Sequence, residues 1–347
     1  EVFDITGGGG ITHDISDLTG LTSLKVSGSI TGNISITDLA PAAEVDVSGA
    51  IGNNLTINQI NAVGGGSDTL TFDFSGSTYT TGGSIIAANI ETVTLQTSAG
   101  GTKTVSGATF ANAGTLNITA SSADLTISDL TAVNLQTLDV SSTSSRTTNI
   151  TTGADVFSNA LTYTGGGGSD TLDLDGATLQ NTFAYNGGNG NDRLELDNAT
   201  LQNTFSYNGG SGNDELFLDG AALSGALTFE GGSGNDTVTL DGATLAAGTV
   251  FVVGEDQDTL TLNTDAVASI VRTSAVNSDN AFSIRDDATT ANTAGFTPGS
   301  DTFDYNGSLR HDSNTSVVEA AGATLQAAVI ADADATVYVI QDADGDA

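Results

Sequence analysis

The stretch GGNGND at residues 187–192 decides the fold, because it returns along the chain at a fixed interval. It recurs as GGSGND at 209–214 and at 231–236, with looser forms GGGGSD at 165–170 and VGEDQD at 253–258. The closing aspartates, at positions 170, 192, 214, 236 and 258, are therefore equally spaced. The repeat is 22 residues long, the interval between successive aspartates. A repeat of this length is typical of solenoids, in which each repeat forms one coil. We therefore predict an all-β solenoid with one coil per repeat.

The residues after each copy alternate between apolar and polar, as Leu194 and Leu196 illustrate. This alternation predicts a half-buried strand. A second strand is predicted at 183–185 and its equivalents, so that each coil has two strands and two turns. Two columns are expected to stack inside the coils, namely leucines at 179, 201, 223 and 245 and aromatic residues at 163, 185, 207, 229 and 251.

The repeated phrase also predicts a cation site. Its glycines can adopt positive φ and turn their carbonyl oxygens to one side, and its aspartate adds a carboxylate. Coils stacked about 4.8 Å apart would bring two such turns around a hard cation, and calcium takes roughly six to eight oxygen ligands. The predicted ligands of several calcium ions are Asp170, Asp192, Asp214, Asp236, Asp258, Gly166, Gly168, Gly188, Gly190, Gly210, Gly212, Gly232 and Gly234.

An alternative for these aspartates is an Asx turn that begins each strand. Stacking weighs against it, because carboxylates about 5 Å apart repel by roughly 0.8 kcal/mol per pair even at the dielectric constant of water. The sequence therefore favours a bound cation over a bare column of carboxylates.

The pattern Gly-Gly-x-Gly-x-Asp-x-apolar-x at 187–195, 209–217 and 231–239 resembles the calcium-binding nonapeptide of repeats-in-toxin proteins. The resemblance implies a parallel β-roll, calcium-driven folding and export from a bacterium, and it covers about a quarter of the chain. One departure is the period, since each nonapeptide is followed by a longer segment without the pattern, such as 196–208. Only one side of each coil would then carry the calcium turn.

Coils without the regular phrase are predicted in the first part of the chain, where 24–30 is similar to 45–51. A single copy of the phrase at 64–70 adds Asp68 as a candidate ligand, although no other copy lies one coil away.

We predict three parts. Residues 1–164 form a β-solenoid without regular calcium repeats, and residues 165–265 form a calcium-binding β-roll. Residues 266–347 form a small α+β cap or the start of a further module, with a short helix at 323–330 and a strand at 336–340.

Composition narrows the class of partner. The 347 residues include 42 acidic and 7 basic side chains, for a formal net charge of −35. Such a charge argues against nucleic acid and anionic membranes as partners. Cysteine is absent, so thiol catalysis and disulfides are excluded, and a metal could stabilise the fold in place of disulfides. No apolar run approaches the length of roughly 18 residues that spans a membrane.

Other acidic groups are weaker metal candidates. Asp175, Asp197, Asp219 and Asp241 form a second column, for which a hydrogen-bonded turn is favoured over a metal. The Asp-x-Asp-x-Asp spacing at 342–346 suits a calcium loop, but the later ligands of such a loop do not follow. We expect no enzyme activity. Polysaccharide cleavage is disfavoured because Arg193 is the one basic residue of the repeats.

The expected function is therefore that of a calcium-dependent structural protein of a bacterial cell surface, similar to surface-layer proteins, which assembles with copies of itself into a layer or fibre. Cell-surface polysaccharide is a further candidate partner. The alternative is a rigid spacer in a large secreted adhesin. An ice-binding face is disfavoured, because the variable position of the phrase is not a regular row of threonines.

Overall fold

The computed structural model describes residues 2–8, 10–18, 20–41, 43–59, 68–76, 79–80, 82–140, 146–246, 249–252, 258–263, 268–271, 281–284 and 302–304. The chain divides into two units, Glu1–Asn181 and Thr182–Ala347. The described residues of each form a parallel β-solenoid with about 22 residues per coil, which confirms the predicted fold class. No helix among the described residues is long and apolar enough to cross a membrane.

The first unit contains two long parallel sheets, and its strands are numbered in chain order. Sheet I runs through β1 (Val2–Ile5), β3 (Ser23–Val26), β5 (Glu44–Val47), β7 (Thr69–Asp73), β10 (Thr92–Gln96), β13 (Thr115–Thr119), β15 (Thr137–Val140) and β18 (Leu161–Thr164). Sheet II runs through β2 (Ile11–Asp14), β4 (Ile34–Leu39), β6 (Leu55–Gln59), β9 (Ser84–Ala87), β12 (Gly107–Thr109), β14 (Leu125–Thr131), β16 (Thr148–Thr152) and β19 (Thr171–Asp173). Short strands are β8 (Tyr79–Thr80) and β11 (Lys103–Val105), which pair beside β14, and β17 (Val156–Phe157) and β20 (Thr178–Leu179), which pair with each other.

The second unit has the same plan. Its sheet I runs through β21 (Phe183–Asn189), β24 (Phe205–Ser211), β27 (Leu227–Ser233), β29 (Thr249–Val252), β31 (Ala268–Val271) and β33 (Thr302–Asp304). Its sheet II runs through β22 (Arg193–Glu195), β25 (Glu215–Phe217), β28 (Thr237–Asp241), β30 (Thr259–Asn263) and β32 (Ala281–Ile284). The short strands β23 (Thr200–Leu201) and β26 (Ala222–Leu223) form sheet III.

The strand register follows the sequence repeats. Leu24 pairs with Val45, as the similarity of 24–30 to 45–51 predicts, and Phe183 pairs with Phe205, its equivalent in the next repeat. The side chains of a strand alternate between its two faces. A constant number of residues per coil therefore places equivalent side chains over one another inside the coils.

Both predicted interior columns are confirmed. Tyr185 and Tyr207 stack with ring centroids 4.9 Å apart, and Tyr207 and Phe229 stack at 4.8 Å. These distances match the spacing of paired strands, so these three rings lie directly over one another, whereas Phe229 and Phe251 are 5.9 Å apart and tilted by 45°. Leu201 and Leu223 are buried register partners in sheet III.

One detail of the predicted coil differs, because each regular coil has a third, short strand such as β23. The turn before it contains Asn198 at φ 58°, a left-handed conformation that asparagine tolerates. This turn redirects the chain so that Leu201 points inward, and two residues pair before the next turn. Apolar alternation could not reveal so short a strand.

The described residues of the C-terminal part are the strands β31, β32 and β33, which continue the parallel pairing. The predicted helix at 323–330, the strand at 336–340 and the acidic run at 342–346 lie outside the described residues.

Candidate functional site

Four aspartates of the second unit form a buried column, which we call the aspartate ladder: Asp192, Asp214, Asp236 and Asp258. Each has at most 2% of its surface exposed. Oδ1 of Asp214 accepts a hydrogen bond of 2.8 Å from the backbone N–H of Asp192. Oδ1 of Asp236 accepts one from Asp214, and Oδ1 of Asp258 accepts one from Asp236, both at 2.9 Å. The carboxylates of Asp214, Asp236 and Asp258 are thereby fixed to the preceding coil.

The second oxygen of Asp214 lies against the first glycine of its own phrase. A Cβ atom on Gly209 would lie 2.5 Å from Asp214 Oδ2 and 2.5 Å from the carbonyl oxygen of Gly231. Both oxygens therefore flank the same Cα atom. Gly187 repeats the arrangement, since its Cβ would lie 2.7 Å from Asp192 Oδ2 and 2.6 Å from the carbonyl oxygen of Gly209. The first glycine of the phrases at 187–192 and 209–214, which the sequence analysis did not select, thus makes room for the carboxylate.

Asp214 Oδ2 is buried and has no hydrogen-bond partner. A buried anionic oxygen without a donor or a counter-ion is energetically unfavourable. Carboxylate and backbone carbonyl oxygens are the ligands that calcium prefers. Asp214 Oδ2 and the neighbouring carbonyl of Gly231 therefore fit a hard cation in their chemistry.

The glycines at the second and fourth positions of the phrase pack against the equivalent glycines of the preceding coil. Gly212 has φ 127°, and a Cβ atom on it would lie 1.8 Å from the carbonyl oxygen of Gly190. Gly210 has φ 105°, and its Cβ would lie 2.1 Å from the carbonyl oxygen of Gly188. The same approach recurs one coil later, at Gly232 and Gly234. These columns need glycine for its missing Cβ and for its access to positive φ.

The first copy of the phrase, in the first unit, is arranged differently. Asp170 is fully buried, but backbone N–H groups reach both of its oxygens: Thr148 donates to Oδ1 at 2.8 Å and Gly166 donates to Oδ2 at 3.1 Å. A Cβ on Gly168 would lie 1.8 Å from the carbonyl oxygen of Arg146. Protein donors thus reach both oxygens of this carboxylate.

Burial changes the proton affinity of these acids. It raises the pKa of Asp214 to about 6, although the hydrogen bond from the Asp192 N–H partly opposes it. Burial also raises the pKa of Asp170 to about 6, against the hydrogen bonds from Gly166 and Thr148. Desolvation disfavours the ionised form of an acid, so a folded chain without cations carries a cost for these charges near neutral pH.

Asp68 does not belong to an equivalent site. It precedes β7, a strand of sheet I, whereas the ladder aspartates precede strands of sheet II. It is only half-buried, and its N–H donates to the Glu91 carboxylate at 3.1 Å. The glycines before it lie outside the described residues. Asp68 therefore precedes a strand of a different sheet from the ladder aspartates, and only the register between strands reveals this.

Hydrogen bonds between successive coils join members of the second acidic column. The N–H of Asp219 donates to Asp197 Oδ1 at 2.9 Å, and the N–H of Asp241 donates to Asp219 Oδ1 at 2.8 Å. The residue after each aspartate has a φ between 58° and 69°, at Gly176, Asn198, Gly220 and Gly242. Left-handed residues after the aspartates are typical of tight turns.

A column of asparagines lies beside the ladder and was missed by sequence reasoning. The N–H of Asn213 donates to Asn191 Oδ1 at 2.9 Å, and the N–H of Asn235 donates to Asn213 Oδ1 at 2.8 Å. The signal was present, since these asparagines recur at the same period as the aspartates that follow them. They hold successive turns in register at the solvent side of the aspartate ladder.

Comparison with known proteins finds no matching family model, no matching curated protein and no matching solved structure.

Proposed function

We propose that this chain is an extracellular structural protein of a bacterial cell surface, in which calcium bound along the aspartate ladder stabilises the coils and permits assembly with other copies. The observation that carries the proposal is the buried, unpartnered Oδ2 of Asp214 beside a glycine turn. A cation at this oxygen would remove the cost of the buried charge. The same phrases resemble the calcium-binding nonapeptide of repeats-in-toxin proteins, which supports calcium as the bound cation. The acidic composition of the chain is similar to that of surface-layer proteins.

The proposal assigns no catalytic role to the repeats. Arg193, their one basic residue, is held by two carboxylates: Nε contacts Glu195 at 2.5 Å and Nη1 contacts Glu215 at 2.7 Å. Its guanidinium also lies 4.0 Å from the centre of the Phe217 ring. An arginine engaged in this way serves the contact between neighbouring coils rather than a substrate carboxylate.

Assembly is expected to depend on divalent cations. At a formal charge of −35, chains repel one another until cations neutralise them. About 0.1 M monovalent salt screens charges only beyond roughly 10 Å, so sodium should replace a coordinated ion poorly. Millimolar calcium should therefore produce ordered assemblies, measured by light scattering and negative-stain imaging, while sodium at equal ionic strength should not.

Two outcomes would count against this function. Equal assembly in sodium would show that calcium is not a specific linker. No assembly in either salt, although calcium binds, would favour the rigid spacer of an adhesin. That alternative needs only the cation-stabilised stack of coils.

A further inference from the structure

Tyr207 places a hydroxyl group inside the second unit with no visible purpose in packing. The side chain is 1% exposed, and its hydroxyl is buried without a hydrogen-bond partner. Leaving a buried polar group unsatisfied costs about 1–3 kcal/mol. Phe229 occupies the same position one coil later and stacks on Tyr207 at 4.8 Å. The column therefore accepts a ring without a hydroxyl, so ring packing alone does not explain the tyrosine.

The strand geometry places this side chain next to the carboxylate of Asp214. Phe205, Tyr207 and Gly209 are buried and alternate with exposed or half-buried residues along β24, so all three face the interior. Asp214 Oδ2 fills the space where Gly209 would carry its Cβ atom. That space is the next inward position after Tyr207, and such positions are about 7 Å apart. The phenol and the carboxylate are thus neighbours on one inner face.

Electrostatics agrees with this placement. Burial raises the pKa of Tyr207 well above its usual range, and among the charged groups that raise it further Asp214 comes first, followed by Asp236 and Asp192. The hydroxyl therefore stays protonated and can donate to an anion. Asp214 Oδ2 is a hydrogen-bond acceptor without a donor, so each of the two groups lacks the kind of partner that the other could supply.

We propose that Tyr207 is a positioning residue, whose hydroxyl donates a hydrogen bond to a buried water molecule that in turn donates to Oδ2 of Asp214 and orients this carboxylate for a hard cation. The inference rests on the proposed cation binding by the aspartate ladder. Oδ2 has lone pairs for both partners, so one can accept from the water molecule while the other faces the cation. Hydrogen bonds to ligating carboxylates orient them and tune their affinity for the metal.

Tyr207→Phe removes only the hydroxyl, and Phe229 shows that the column accommodates phenylalanine. The probe is terbium, a hard cation whose emission is sensitised by nearby aromatic residues. The chain contains no tryptophan and six tyrosines, so tyrosine must be the principal sensitiser. We expect the variant to bind terbium about 10- to 100-fold more weakly and to show lower emission at saturation. Ser206→Ala, at an exposed position of the same strand, should change neither quantity.

A second readout does not need a cation. In the cation-free full chain, proton NMR should show a slowly exchanging tyrosine hydroxyl resonance that is absent from Tyr207→Phe. If terbium binds the wild type and the variant equally and this resonance is missing, the role of Tyr207 is refuted while the proposed function stands. If terbium does not bind the wild type, the proposed function fails and the role of Tyr207 fails with it. Circular dichroism checks that the variant is folded.

Discussion

In the absence of divalent cations, the folded chain is expected to be more stable at about pH 5 than at about pH 8. Asp170 and Asp214 have a pKa of about 6 in the folded chain, against about 3.9 for an unfolded aspartic acid. Between these two values the folded state binds more protons than the unfolded state. Stability therefore falls as the pH rises through this window, and it stays low above it.

The two pKa values set the expected size of this effect. The unfolded aspartic acid is already mostly ionised at about pH 5, so only about one tenfold step in proton affinity, from about pH 5 to the folded pKa of about 6, separates the two conditions. Each of the two aspartates therefore contributes roughly 1 kcal/mol to the difference, less any relaxation of the structure. The measurement is the free energy of unfolding of the full chain by urea in the presence of EDTA, at both pH values. Stability that rises from the lower to the higher pH would contradict the account.

Asp214→Asn is the matched variant for this experiment. The side-chain oxygen of asparagine can still accept the hydrogen bond from the Asp192 N–H, but the side chain carries no charge. Without cations the variant should be more stable than the wild type at about pH 8 and should depend less on pH. With millimolar calcium the wild type should gain stability by mass action, and the variant should gain less. The same substitution is thus expected to be favourable without calcium and unfavourable with it.

Gly212→Ala is expected to be among the most destabilising single substitutions in the second unit. The added Cβ would lie 1.8 Å from the carbonyl oxygen of Gly190, an atom of the backbone that cannot rotate away. The residue also has φ 127°, a conformation that side chains other than hydrogen disfavour. Overpacking and backbone strain together should lower the free energy of unfolding by about 3–5 kcal/mol.

Gly242→Ala separates the two causes. Gly242 has φ 68°, but its added Cβ would meet no atom within 4 Å. Only the left-handed conformation is penalised there, at about 1–2 kcal/mol. Urea unfolding of both variants at one calcium concentration measures the difference. Equal losses would show that the coils do not approach as closely at Gly212 as the structure indicates.

Much of the fold could be predicted from sequence because the period is explicit. The constant step between repeats, together with strand alternation, is sufficient to place Tyr185 over Tyr207 and Leu201 over Leu223. Stacking in a parallel solenoid is a one-dimensional problem, in which each coil contacts its neighbours. Periodicity therefore carries almost all of the topological information.

Features that depend on which corner of the coil a residue occupies could not be predicted. Asp68 follows the same letters as the other phrases, yet Val45 pairs with Phe72 across a longer step than the regular repeat, and Asp68 enters sheet I rather than sheet II. The burial of Lys103 could not be predicted either, because the residues around it in the sequence give no sign of it. Its ammonium group donates to the carbonyl oxygens of Gly76 and Gly100, and burial lowers its pKa.

The details of the candidate site also required coordinates. The sequence indicated which aspartates stack, but not that Oδ1 of each ladder aspartate from Asp214 onward would accept a hydrogen bond from the coil before it. It indicated the glycines at the second and fourth positions of the phrase as ligands, whereas the glycine next to the carboxylate of Asp214 is Gly209. The path of the backbone through the turn decides which glycine lies next to the carboxylate, and the identity of the residues does not reveal that path.

Anomalous diffraction from crystals of the full chain grown with terbium tests most directly whether the aspartate ladder binds a hard cation. We expect an anomalous peak about 2.3–2.6 Å from Oδ2 of Asp214, the distance of a calcium-sized cation from a carboxylate ligand. Peaks confined to the outer turns at Asp197 and Asp219, with only a water molecule or a protein donor at Oδ2 of Asp214, would contradict it.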